Sequence, residues 1–415
     1  MSITATLARP RTVAPWRALL PWVIAAVAIL ALPHLAPSGF GLSLLCRMGI
    51  AIVFALSFNM VLGQAGMLDF GHAVFLGLGG FLAMHALKAT IGLPLPLLPL
   101  VGAVGGLVAA ILAGWVAARR AGTAFAMITL GVAELVIATV HLFPSLFGGE
   151  EGVSGDRSSG PALFGHDFGP QVEAYYLIAA WTWLAALLMW LYTRTPLGRL
   201  ANAVRDNPER VGFIGYDPAR IRLLVFALSG LFAGIAGGLA ALNDEIVSAG
   251  AMSADASGSV LLMTFIGGIG TFWGPVLGAV LITLLAVALS TVTDAWQLYS
   301  GLLFVSMVLW APGGLSGVIL AHAPLGARLG RLVPRYAAVV PGLVLAVAGV
   351  VTLAELAFRL QAMRNGARAR PLLGYALDPQ ALAPWAAAAL VCGAGIWLVR
   401  RTYPAAREAW QAAAA

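Results

Sequence analysis

The chain has 415 residues, 60% of them hydrophobic and only 10% charged, where an ordinary soluble domain carries about a quarter of its residues charged. With a mean hydropathy of +0.92, this excludes a water-soluble fold and points to an all-α, polytopic integral membrane protein. The net charge of +7 does not indicate a nucleic-acid partner, because the cations are nearly all arginines at the ends of apolar runs, where they set topology and meet anionic lipid head groups.

Apolar runs long enough to cross a bilayer, about 20 residues each, fall near 18–33, 41–62, 67–87, 95–118, 122–146, 173–192, 221–242, 254–272, 275–293 and 296–311. A further pair lies near 336–358 and 382–399. The first run lacks a clean small-x-small cleavage site after it, so it is expected to stay as an uncleaved membrane helix with its N-terminus in the cytoplasm. Counting from there places Arg119, Arg120, the arginines of 193–222, Arg328, Arg331 and Arg335 in the cytoplasm. Glu150, Glu151, Asp156, Asp244, Glu245 and Asp294 fall outside, as the positive-inside rule requires. The last two runs fit less well. If both cross, the arginine-rich link that follows Arg359 lies outside against the charge bias, so either that link lies flat at the interface or one run is re-entrant.

The segment divides into residues 1–40 (cytoplasmic N-terminus and first membrane helix), 41–320 (a core of about ten spanning or re-entrant helices) and 321–415. That last part is an extension with two apolar segments, no recognisable enzyme motif and no assigned role, expected to be dispensable for translocation. Cys46 and Cys392 are far apart within apolar stretches and give neither a disulfide framework nor metal-ligand spacing. Lys88, the single lysine, follows Leu87 and not glycine, so no phosphate-binding G-x-x-x-x-G-K-[ST] loop exists here. Serine, histidine and aspartate are too scattered along the chain to mark a catalytic triad, and the reading is of a protein that is not an enzyme.

Two kinds of punctuation stand out. The charged interlude Thr193 to Arg222 carries capping chemistry for two short helices. Thr195 precedes Pro196, Asn207 precedes Pro208, and Gly215 is placed to end the second. Gly198, Arg199, Arg205 and Asp206 belong to the same element, which reads as a folded docking surface for a cytoplasmic partner. The other punctuation is glycine. Gly230, Gly234 and Gly238 recur at four-residue spacing and predict close helix packing in lipid. GQAGMLDFGHAVFLGLGG, from Gly63 to Gly80, and FIGGIGTFWGPVLG, from Phe265 to Gly278, interrupt apolar runs in the two halves of the core. Paired broken helices point to a transporter's pathway. Gly63, Gly66, Asp69, Gly71, His72, Gly79, Gly267, Gly268, Gly270, Gly274 and Pro275 are the residues this places on that pathway, and Gly79 and Gly268 are expected to permit close passage of backbone or solute.

The stretches ALSFNMVLGQAGMLDFGHAVFLGLGGF, GTAFAMITLGVAELV with GGEEGVSG, TPLGRLANAVRDNPERVGFIGYD, and LLMTFIGGIGTFWGPVLGA with WAPGGLSG resemble, in order, the permease family of branched-chain amino acid ABC importers. The FAMITL and GG-x-x-G-x-x-G features are more similar to its LivM-type subunit than to the LivH-type sister. The resemblance covers roughly 40–320. It implies a bacterial inner-membrane permease paired with a second, LivH-like permease, two cytoplasmic ATPase subunits that hold ATP and magnesium, and an extracytoplasmic solute-binding protein; this chain itself takes no cofactor. It also implies that Thr195 to Gly215 is the element coupled to the ATPase. Relatives that handle urea, short amides or other amino acids keep the substrate open. In the family pattern a serine stands where this chain has Asp69, ahead of Phe70, Gly71 and His72.

Asp69 is expected to cap the half-helix beginning at Phe70 as a serine would, with a substrate-ammonium contact as the competing role. His72 reads as a packed, hydrogen-bonded helix residue. Glu134, with Thr129 at similar depth, is either a pathway carboxylate or an interhelical hydrogen-bonding group. A reading from another class makes the chain an ion-coupled secondary transporter with Asp69 and Glu134 as its coupling carboxylates. Glu150, Glu151 and Asp156 form a solvated outer face suited to docking the charged rim of a binding protein.

Overall fold

The structure, a computed structural model, describes residues 15–35, 37–89, 93–159, 168–291, 293, 295–323, 329–365 and 378–414. Asp294, Arg328 and most of the link after Arg364 lie outside the described residues. The chain forms two compact units, Met1–Ser257 and Gly258–Ala415, each taken here by itself.

In the first unit, α1 (Pro15–Leu35) is followed by α2 (Gly39–Asn59), whose first turn is capped by Ser38, its hydroxyl accepting from the Gly41 amide at 3.1 Å. α2 runs into a π-helical turn at Met60–Gln64 and then leaves helical geometry until α3 (Ala73–Lys88). The expected span at 67–87 is therefore a half-helix of 16 residues, about 24 Å long and short of the roughly 30 Å hydrocarbon thickness. Next come α4 (Leu98–Ala117), α5 (Thr123–Leu142) and the short α6 (Pro144–Phe147). β1 (Val153–Ser154) precedes α7 (Gln171–Arg194), α8 (Pro196–Asp206), α9 (Pro208–Phe213) and α10 (Pro218–Asp244). β2 (Ile246–Val247) pairs antiparallel with β1, Val153 opposite Val247, and so brings the loop containing Glu150 to Asp156 to the end of the unit where α10 finishes. Arg157 reinforces that end, donating to the Gly169 carbonyl at 2.9 Å and lying 3.4 Å from Glu245.

Glycine sets the core of this unit. α10 packs on α4 and α3 so closely that a Cβ on Gly234 would lie 2.2 Å from the Gly102 carbonyl oxygen, and one on Gly79 would lie 2.6 Å from the Gly234 Cα. Without side chains at these crossings the backbones touch, which is how helices gain van der Waals contact in lipid. The four-residue repeat predicted this seam. Gly237, off the repeat, is as tightly held, its Cβ position being 1.9 Å from the Leu76 carbonyl oxygen. α10 is accordingly the most enclosed span, with 72% of its apolar window buried against 28% for α5.

The second unit contains most of α11 (Ala254–Gly267), α12 (Gly274–Ser290), α13 (Trp296–Trp310) and α14 (Gly314–His322). α13 and α14 form a pair bent by 46°. The extension supplies α15 (Leu329–Arg364) and α16 (Leu382–Ala414), which run antiparallel, with Gly342 against Val399 and Gly349 against Cys392. Each is one continuous helix long and apolar enough to cross a membrane. Buried Glu355 fastens this hairpin to its own unit, accepting hydrogen bonds from Thr293 Oγ1 at 2.5 Å and Tyr299 Oη at 2.8 Å. Arg359 lies beside it, at 3.9 Å. Among the described residues, seven helices are long and apolar enough to cross a bilayer, or up to eight if the bent pair counts as one.

Candidate functional site

The break between α2 and α3 is the best-defined irregular backbone inside an apolar segment, and its amide groups need partners that hydrocarbon cannot supply. They have them. The Met67 amide donates to the Val61 carbonyl at 3.0 Å, the Phe70 amide to Thr129 Oγ1 at 3.3 Å, the Gly71 amide to Asp69 Oδ1 at 2.9 Å, and the Ala73 amide to Ser257 Oγ at 3.2 Å. Gly66 permits the chain reversal with φ of +69°. Gly71 lets the strand of backbone lie on α5, since a Cβ there would be 2.5 Å from the Thr129 carbonyl oxygen.

Asp69 does not cap α3 as expected: the regular helix begins at Ala73 and not at Phe70, with His72 at its N-cap and no side-chain cap bond, and the Asp69 carboxylate instead accepts from the Gly71 amide within the loop. The loop needs those extra residues because Asp69 has a second task. Its Oδ2 lies 3.0 Å from His72 Nδ1, and His72 Nε2 lies 2.9 Å from Ser57 Oγ. The expectation that serine, histidine and aspartate are too scattered to meet is thus corrected in geometry: the break folds Asp69 and His72 back onto the end of α2, where Ser57 waits. The chemistry it permits is different from hydrolysis. All three side chains are fully buried, and the His72 ring is enclosed by Phe54, Phe58 and Phe75 at centroid distances of 5.2–5.6 Å. Sealed in this way, the relay ties the two halves of a broken helix together. Ser229 on α10 extends the tie, donating to the Ser57 carbonyl at 2.9 Å.

The charged interlude folds as its caps require. Thr195 Oγ1 accepts from the Gly198 amide at 3.2 Å, and Asn207 Oδ1 from the Arg210 amide at 2.9 Å, with Pro196 and Pro208 in the first turns. Gly198 allows the corner after α7, because a Cβ would lie 2.4 Å from the Tyr192 carbonyl oxygen. Gly215, at φ +90°, ends α9 in a Schellman arrangement in which the Tyr216 amide reaches the Val211 carbonyl at 3.2 Å. Gly198, Ala201 and Val204 form the buried stripe of α8, while Arg199 faces out. At the end of α9, Phe213 is 90% exposed, and Ile214 and Tyr216 just after it are exposed too. α8 also touches the break directly. Arg205 donates through Nη1 to the Gly63 carbonyl and through Nε to Asp206 at 3.1 Å, and Asn202 Nδ2 donates to Gln64 Oε1 at 3.2 Å.

The remaining candidates separate. Thr129 is buried and bonded to the break, whereas Glu134 sits on the exposed side of α5 with Met127, Leu130 and Gly131. Gly79 lies in the glycine seam. In the second unit, Gly267 and Gly274 are in tight backbone contact, Gly268 has φ of +110° against the Gly313 carbonyl, Pro275 is buried in the first turn of α12, and Gly270 faces open space. Sequence reasoning missed Ser57, Ser257, Asn202 and Gln64 as parts of the site. The polar pair Gly63-Gln64, closing an apolar run just before a positive-φ glycine, was the one signal that could have marked the junction.

Residues 41–312 match the family described as branched-chain amino acid transport system, permease component. The chain is 29% identical over 292 residues to the high-affinity branched-chain amino acid transport system permease protein LivM of Salmonella typhimurium, spanning 64% of this chain and 67% of that protein. It is 28% identical over 292 residues, with the same coverage, to LivM of Escherichia coli. It is also 24% identical over 291 residues to a probable branched-chain amino acid transport permease protein LivH of Methanocaldococcus jannaschii, covering 65% of this chain and 89% of that one. No solved structure matches.

Proposed function

Because the chain belongs to the branched-chain amino acid transport permease family, we propose that it forms, with a second permease, the inner-membrane pathway of an ATP-driven importer for leucine, isoleucine and valine. The observation that carries the mechanism is the Arg205–Gly63 contact between a capped surface helix and the broken helix. In this reading the exposed Phe213, Ile214 and Tyr216 seat in a groove of a cytoplasmic ATPase. α8 then passes the movement of that subunit to the π-helical turn and thence to α3, a rigid-element displacement acting on a hinge. The break borders the pathway, and ATP and magnesium are held by the partner subunits. Glu134 belongs to the surface offered to the second permease: a carboxylate at the bilayer centre costs about 2.5–3.5 kcal/mol on insertion scales, so an exposed one needs a polar partner or water beside it. The acidic outer loop, where Ser158 holds the Asp156 carboxyl below the usual carboxylate range through its hydroxyl and amide, receives the solute-binding protein.

Uptake by proteoliposomes containing both permeases, the ATPases and the binding protein tests this. ATP-dependent accumulation of labelled leucine, competed by isoleucine and valine and not by urea or acetamide, is the expected result. Accumulation driven by a proton or sodium gradient without any ATPase would replace the proposal with ion-coupled transport.

A further inference from the structure

We propose that the hairpin of α15 and α16, outside the family-matching segment, builds a binding site for an anionic glycerophospholipid against α12 and α13. Two cavities carry the proposal. One, of about 490 Å³, is lined by Trp310, His322, Tyr336, Tyr403, Arg407 and Trp410 among others. The second, of about 810 Å³, is almost entirely apolar, with Leu289, Leu302, Val347, Val350, Val351 and Ile396 in its walls. Trp310 and Leu343 line both, so the two adjoin.

The chemistry of the smaller cavity is that of donors around an acceptor-rich group. Arg407 brings a planar guanidinium suited to phosphate. Trp410 Nε1 is buried and has no hydrogen-bond partner, and a buried donor of this kind calls for an acceptor that completes it. The Tyr336 hydroxyl, 3.0 Å from His322 Nε2, closes the same side. The site also lies at the end of the hairpin that carries exposed Arg335, Arg400 and Arg401, the end placed in the cytoplasm by counting spans from the N-terminus, where the leaflet carries anionic lipid.

Length selects a lipid over a free phosphate. Residues of α15 between Tyr336 and Val351 line the two adjoining cavities, a rise of about 22 Å at 1.5 Å per residue. One leaflet of hydrocarbon is about 15 Å, half of the roughly 30 Å core, and the remainder accommodates a head group. A soluble anion leaves the apolar compartment empty, and a plain hydrocarbon leaves the Trp410 Nε1 donor without an acceptor.

The test uses the full-length chain, delipidated in mild detergent, with phosphatidylglycerol or phosphatidylcholine added and bound lipid counted by native mass spectrometry. One phosphatidylglycerol per chain is expected to persist, with phosphatidylcholine binding roughly tenfold or more weakly. Arg407→Glu and Trp410→Phe should each weaken the phosphatidylglycerol adduct, whereas Arg220→Glu, an equal change of charge in the exposed first turn of α10, should leave it intact. Val350→Trp, which fills the apolar compartment, should remove the adduct with the head-group residues unchanged. Equal retention of the two lipids, or equal loss in Arg407→Glu and Arg220→Glu, would overturn the proposal, as would inorganic phosphate displacing the adduct completely.

Discussion

Arg205 of α8 donates to the main-chain carbonyl of Gly63, the fourth residue of the π-helical turn at which α2 breaks. A Cβ on Gly66 would lie 2.6 Å from Arg205 Cγ, so the arginine stem also lies flat on the loop that follows. One side chain thus joins the element facing outward to the element at the broken helix. Removing it should separate two activities that otherwise run together. In Arg205→Ala, a charge-assisted hydrogen bond of about 1.5–3 kcal/mol is lost while the exposed apolar tip is untouched. Substrate uptake is expected to fall at least tenfold while ATP hydrolysis by the assembled complex continues, measured in the same proteoliposomes.

The caps of the short helices give a graded effect. Asn207→Ala with Pro208→Gly should loosen α9 by about 1 kcal/mol or more. Reduced uptake with normal membrane insertion is the expected outcome, and faster amide exchange at Arg210 and Val211, measured by mass spectrometry, would trace it to fraying.

At position 69, serine and alanine should differ. Asp69→Ser keeps an acceptor for the Gly71 amide and gives up the contact with His72, whereas Asp69→Ala abandons both. Stripping a partner from a fully buried polar pair costs on the order of 3 kcal/mol. The thermal midpoint in detergent should therefore drop for both variants, and further for alanine. Equal midpoints for wild type and Asp69→Ala would show that the Asp69–His72–Ser57 chain contributes nothing to holding the break.

Glycines of the two surfaces should respond oppositely. Gly237→Leu places atoms on the Leu76 carbonyl and is expected to abolish folded protein. Gly131 of α5 faces open space, so Gly131→Leu should insert and fold normally yet prevent co-purification with the second permease. Retained pairing in Gly131→Leu would move that interface off the Glu134 side of α5.

These contrasts also show why some of the molecule was readable before its structure and some was not. The caps at Thr195 and Asn207 and the seam at Gly230, Gly234 and Gly238 rest on local chemistry or simple spacing, which the chain displays directly, whereas the runs near 67–87, 254–272 and 275–293 fold as helices shorter than a full span. Asp69, His72 and Ser57 meet only because the backbone departs from a helix between them, and no periodicity encodes that departure. Which face of α5 is turned inward was hidden for another reason: a helix apolar all round carries little amphipathic signal, so Thr129 and Glu134 looked alike although one is buried and the other exposed. The start of the half-helix, expected at Phe70, lies at Ala73, because Asp69 is used within the loop by the Gly71 amide and His72 instead of capping the helix.

The central claim is that Phe213 to Tyr216 meets an ATPase and that α8 carries its movement to the break. Single cysteines at Phe213 and Tyr216, combined with a short thiol cross-linker in the assembled transporter, test it most directly. The account predicts a cross-link to an ATPase subunit from both positions, and loss of uptake once the link forms. Absence of any such link from either position, in complexes that still accumulate leucine with ATP, would contradict it.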